Sequence, residues 1–196
     1  MPVTSANQQK TPNPQGKGLV PTLGDLALFN PDSVRRKPPL EFFRDYCVSS
    51  LVLAARFQFR PVVGRGYFLY SRDDTWLLSL ISPEEWGAAL PGTFVATCTL
   101  RSDMTWQVAF TAVEENAPLS EKLQNFVDGF TEALASQDDI LGNLPFFVAH
   151  LPYYQRVLAT GLAASLKLSS PPAPALAAAL EGRVLARHLT APTPAQ

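Results

Sequence analysis

Cysteine and histidine are scarce in this chain: two of each among 196 residues, Cys47 and Cys98 with His150 and His188. At these separations the four neither define a disulfide framework nor show the ligand spacing of a zinc site, and no cofactor is expected. Both cysteines fall in apolar surroundings, one in a predicted helix and one in a predicted strand, where a reduced thiol behaves as a small hydrophobe. Long apolar runs are missing too. No stretch reaches the roughly 18 apolar residues of a spanning helix, and MPVTSANQQKTPNPQGKG at the N-terminus has no apolar core behind its positive charge. The expectation is a cytoplasmic protein with no membrane contact. Basic density is low as well: the formal charge is −1, and no region is basic enough for a nucleic-acid groove. Phosphate loops are absent, since neither GRGY at 64–67 nor GKG at 16–18 has the glycine spacing or the Gly-Lys-Ser/Thr ending such loops require.

Apolar side chains make up 46% of the chain, enough for one domain with a real core. Residues 57–110 hold all three tryptophans and read as short strands between turns. After Gly64 and Gly66 comes the strand YFLYSR, Asp73 and Asp74 supply a hairpin turn, and Trp76, Leu78 and Leu80 share the next inward face. Ser82, Pro83 and Glu85 form a helix-start signature, a hydroxyl cap with a carboxylate three residues on. The turn it begins is expected to press Trp86 on the sheet. Beyond Pro91 and Gly92, Phe94, Ala96, Cys98 and Leu100 read as inward, and past the turn at Ser102 and Asp103 so do Met104, Trp106, Val108 and Phe110.

Helical spacing brackets this sheet. Phe43, Tyr46, Cys47, Ser50, Leu51 and Ala54 form a stripe over residues 39–56; Leu119, Leu123, Phe126, Val127, Phe130 and Leu134 form another. Tyr154, Leu158 and Leu162 mark a buried helix entered through Pro152, and Asp138, Asp139, Gly142 and Pro145 break the pattern before it. The predicted class is α+β: a small curved antiparallel sheet or partly open barrel of four to five strands, preceded by one helix and followed by two to three. Residues 1–38, rich in Pro, Gly, Asn and Gln, are expected to be a flexible arm, with Leu19, Val20, Leu23, Leu26, Leu28 and Phe29 as isolated apolar anchors. The globular domain is expected over 39–168. Residues 169–196 read as a Pro/Ala-rich linker with a terminal helix, carrying Leu176, Leu180, Val184, Leu185 and Leu189, that packs loosely or not at all.

Within 64–108 the residues Leu69, Tyr70, Ser82, Pro83, Glu85, Trp86, Gly87, Phe94, Leu100, Asp103, Thr105 and Trp106 fall in a fixed pattern. It runs from a Tyr-Leu-Tyr-like strand through Ser-Pro-x-Glu-Trp-Gly to a Leu-x-x-Asp-x-Thr-Trp ending. This pattern resembles the family called "domain of unknown function 2452", and NPQGKGLVP in the arm is similar to arms of that family. The resemblance implies a fold boundary and carries no chemistry.

Candidate site residues divide by chemistry. Glu84, Glu85 and Asp103 are the acidic groups available to a small hydrolase or transferase, but a general acid needs a desolvated carboxyl across a cleft from its partner. Adjacent carboxylates at a helix start more simply complement its dipole, and Asp103 suits an Asx-type turn bond. Arg35, Arg36 and Lys37 read as a solvated basic run, with contact to an acidic or phosphate surface as the alternative. Tyr67, Tyr70, Trp86, Arg65 and Arg101 are the candidate binding residues. The preferred function is non-enzymatic: an interaction or adaptor protein that offers its aromatic sheet, or the groove between sheet and helices, to a protein partner. Single-stranded RNA binding on the sheet is the second alternative. Oligomeric state is left open.

Overall fold

Four strands, β1 (Gly66–Arg72), β2 (Thr75–Ser79), β3 (Thr93–Leu100) and β4 (Trp106–Phe110), form one open antiparallel sheet in the order β2-β1-β3-β4. The helices are α1 (Pro39–Ala54) before the sheet, a single turn α2 (Pro83–Trp86) within it, and α3 (Ala117–Ala135), α4 (Tyr153–Ser169) and α5 (Ala173–Glu181) after it. The computed structural model describes residues 30–136, 140–141 and 151–181. Expectations on residues 1–29, on Asp138, Asp139, Gly142, Pro145 and His150, and on Val184, Leu185 and Leu189 lie outside the described residues. The predicted α+β class holds, and of the two expected forms the structure has the open antiparallel sheet.

One face of the sheet carries the core. Tyr67, Leu69, Trp76, Leu78, Val95, Ala96, Cys98, Leu100, Trp106 and Val108 are buried there with residues of α1, α3, α4 and α5. α1 lies at the centre, touching β4, α4 and α5, so it is buried nearly all round and shows no narrow stripe. Phe42, Val48, Val52 and Leu53 are therefore buried beside the expected Phe43, Cys47 and Leu51, whereas Ala54 is exposed. Its C-terminal carbonyls are closed from outside: the Gln155 side-chain amide donates to Ala55 O at 2.6 Å and to Leu53 O at 3.3 Å. α3 follows its predicted stripe, burying Leu119, Leu123, Val127 and Leu134. α5 does pack, because Leu176 enters the same core.

Two local devices set which residues face inward. Asp73, at φ 48, makes the tight β1–β2 turn. In the β1–β3 pair Leu69 faces Ala96 but Tyr70 faces Phe94, leaving Val95 as an extra residue in β3. This bulge reverses the alternation, so Val95 joins the core and Phe94, expected inward, stands on the other face with Tyr70. At the outer edge of β2, Arg56 forms a one-residue parallel bridge: its N–H donates to Trp76 O at 2.8 Å and its carbonyl accepts from Leu78 N at 3.1 Å.

Candidate interaction surface

Strand order dictates the candidate site. Since β1 lies between β2 and β3, residues 80–92 cross β1, and the bond from the Tyr70 hydroxyl to Ile81 O puts the crossing on the Tyr70 face, away from the core. This strap starts where the sequence predicted. Ser82 Oγ accepts from Glu85 N at 3.3 Å, and Glu85 Oε2 accepts from Ser82 N at 2.8 Å, a complete capping box around Pro83. Gly87, at φ 54, reverses the chain. Gly92 then returns it against β1 so closely that a Cβ there would sit 2.3 Å from Ser71 O.

Beneath the strap is a second aromatic cluster, separate from the core. The Phe94 ring lies 5.6 Å from Tyr70 and 6.3 Å from Phe68. Tyr70 is fully buried, and its hydroxyl donates to Ile81 O at 2.9 Å. Burial raises that hydroxyl's pKa, and the charges of Glu84 and Glu85 raise it further. Trp86 is half-buried, with its indole Nε1 enclosed and unpartnered. Outside the cluster, large apolar side chains meet solvent: Leu80, Ile81 and Leu90 of the strap, and Val62 at the turn before β1, are between 39% and 49% exposed. Three of the four belong to the strap, and exposed apolar area of this kind can mark an interaction site.

The remaining sequence-chosen residues are not brought together. Tyr67 is buried in the core, stacked on Phe59 at 5.3 Å, with its hydroxyl accepting from Val62 N at 2.6 Å. Arg65 is exposed in the turn beside Val62. Glu84 is exposed, and hydrogen bonds from its own N–H and from Ser82 hold its carboxyl below the usual range, the reverse of what a general acid needs.

Asp103 and Arg101 belong to an ion network that the sequence did not reveal. Lys37, Asp45 and Asp103 are 4%, 5% and 7% exposed. The Lys37 ammonium lies 2.6 Å from Asp45 Oδ2 and 3.1 Å from Asp103 Oδ2, and Arg101 Nη1 lies 3.2 Å from Asp45 Oδ1. Asp103 Oδ1 also accepts from Thr105 N at 3.0 Å and Thr105 Oγ1 at 2.6 Å, so the Asx-type bond is present. Burial pushes the Asp103 carboxyl up, but the Thr105 hydrogen bonds and the Lys37 charge outweigh it and the net shift is downward. Lys37 is thus no solvated member of a basic run; α1, the β3–β4 turn and the end of α4, where Lys37 N–H donates to Ser169 O at 3.0 Å, close over it.

Burial pushes the Cys47 thiol up to about 12 and the Cys98 thiol higher still, so neither is a nucleophile at neutral pH. An open groove of about 410 Å³ lies between the β1–β2 turn and the start of α3, with Ser71, Asp73, Asp74, Glu121 and Lys122 among its walls. The Lys122 ammonium spans it, donating to Ser71 Oγ at 2.9 Å, Asp73 O at 2.6 Å and Thr75 O at 3.2 Å while lying 4.3 Å over the Trp76 ring. Among the described residues no cluster of three or more His, Cys, Asp or Glu is placed to hold a metal, and no helix is long and apolar enough to cross a membrane.

The strap, the outer aromatic cluster and the Asp103-Thr105-Trp106 turn all lie within one stretch that matches a family model. Residues 49–128 match the model of a family described as "Protein of unknown function (DUF2452)", which extends the resemblance read from residues 64–108 into α1 and α3. No curated protein and no solved structure matches the chain.

Proposed function

We propose that this chain is an interaction or adaptor protein that receives a protein partner on the strap and the adjoining outer sheet face. The observation that carries this reading is the exposure of Leu80, Ile81 and Leu90 on the strap that also bears the half-buried Trp86, apolar area that gains by being covered. The acidic alternative draws less support, because Glu85 caps α2 and Asp103 is engaged by Lys37 and Thr105. Two buried, unpaired thiols fit a reducing compartment, and the cytoplasm is the proposed location.

The test is a comparison of tagged wild type with Leu80→Ser/Leu90→Ser in native lysate, followed by titration of the recovered partner. Truncating two central apolar contacts weakens binding by about tenfold each. A stoichiometric protein held by the wild type and lost by the double variant, with thermal midpoints alike, is the expected result. Equal retention by both, or no stoichiometric partner for either, overturns the reading.

A further inference from the structure

We propose that the outer rim of β2 holds an anion-binding cleft that takes a phosphate monoester carried on an apolar body. The site is separate from the exposed apolar residues of the strap and stands whether or not a partner binds there. Its shape is the first observation. A cleft of about 400 Å³ opens along this rim, with Arg56, Arg72, Asp73, Thr75 and Leu77 among its walls. That volume falls in the range of small-molecule sites.

Strand pairing then brings both arginines to one face. Arg56 bridges to Leu77, Leu77 pairs with Tyr70, and Arg72 pairs with Thr75. Residues opposite one another across a ladder share a face, as do residues two apart along a strand, so Arg56, Leu77, Thr75 and Arg72 all belong to the outer face with Tyr70. With strands about 4.8 Å apart and a rise of about 3.4 Å per residue, the two arginine Cα atoms are separated by about 12 Å. Leu77 and Thr75 lie between them, a gap that two extended arginine side chains close around one anionic group.

Both positive charges are also available. Arg56 is exposed, and among the described residues its guanidinium makes no hydrogen bond or ion pair. Its backbone is nevertheless fixed, tied to Trp76 O and Leu78 N on the rim of β2. Arg72 has Asp73 at 4.0 Å, with the two side chains 68% and 91% exposed, and so loose an exposed pair yields readily to a better acceptor. Two cations against one carboxylate leave the cleft positive. A phosphate monoester is nearly a dianion at neutral pH and has three acceptor oxygens to divide between two guanidinium forks, whereas the two oxygens of a carboxylate are filled by one fork. The half-buried Leu77 offers apolar contact to the body that carries the phosphate.

The experiment titrates the full purified chain with phenyl phosphate at low ionic strength and follows arginine side-chain and backbone amide signals by NMR. Saturable shifts of the Arg56 and Arg72 Nε–H signals and of the Thr75 and Leu77 amides are expected. Arg56→Gln and Arg72→Gln should each weaken binding about tenfold, the loss of one charge-assisted contact. Their thermal midpoints should match the wild type, because the bridge to β2 uses only the main chain of Arg56. Arg36→Gln, at an exposed arginine ahead of α1, should bind as the wild type does. Inorganic phosphate, which leaves Leu77 uncovered, and phenylacetate, which has too few oxygens for two forks, should both bind more weakly than phenyl phosphate. Shifts that fail to saturate, that fall equally on Arg35 and Arg36, or that survive both Arg56→Gln and Arg72→Gln overturn the site. Inorganic phosphate or phenylacetate binding as tightly as phenyl phosphate overturns the assigned ligand.

Discussion

Replacing Lys37 by methionine tests the buried ion network most directly. Lys37→Met keeps an unbranched apolar stem of similar length and removes only the ammonium. Asp45 Oδ2 then loses its 2.6 Å partner and Asp103 Oδ2 its 3.1 Å partner. The two carboxylates are not left equally bare. Asp45 keeps Arg101 at 3.2 Å, and Asp103 keeps both Thr105 bonds. Breaking a buried pair by deleting one partner costs about 3–5 kcal/mol, and the retained contacts put this case at the lower end, about 3 kcal/mol. With a urea slope of about 2 kcal/mol per molar, the unfolding midpoint should fall by about 1.5 M. The pH dependence follows from the direction of the Asp103 shift. Its carboxyl is held below its unfolded value, so its stabilisation is fully present above that value and is lost as pH falls through the folded one. Because Lys37 contributes to that depression, the gap between wild type and Lys37→Met should be widest near neutrality and narrow as pH falls through the carboxylate range. Urea melts followed by tryptophan fluorescence at several pH values measure it. A deficit below about 1 kcal/mol at neutral pH, or one of constant size down to acid, would refute the reasoning.

Two glycines should respond in opposite directions. Gly92→Ala would drive a methyl group into the Ser71 carbonyl and displace the strap, costing about 2 kcal/mol or more in thermal or urea unfolding, whereas Gly129→Ala, on an open part of α3, should stabilise by about 0.5–1 kcal/mol. The thiols should be silent in the native protein: at mildly alkaline pH a disulfide reagent should label Cys47 and Cys98 only on the timescale of unfolding, and rapid labelling of either would contradict their burial.

Local chemistry was legible in the sequence and long-range pairing was not. The Ser82 to Glu85 capping box, the two-aspartate turn and the α3 stripe each depend on residues a few positions apart, and each has its expected form. Alternation counted along one strand puts Phe94 inward, while the bulge that reverses it exists only in the pairing of β3 with β1. The same alternation extends β2 to Leu80, whereas the strand ends at Ser79. Lys37 and Asp103 are 66 positions apart, and nothing local distinguishes that lysine from Arg35 or Arg36. The one available signal was Asp45, an acidic residue amid the apolar positions of α1, for which a buried counter-charge is the usual reason. The strap's exposed leucines gave no warning either, since a sequence pattern cannot separate an apolar residue that is packed from one left outside.

The one-residue bridge at Arg56 bears on how these molecules can associate. By occupying the amide and carbonyl that β2 turns outward at Trp76 and Leu78, the tail of α1 acts as a built-in plug on that rim. Another polypeptide arriving as an added strand finds those positions already taken, which guards this border against templated, fibre-like growth.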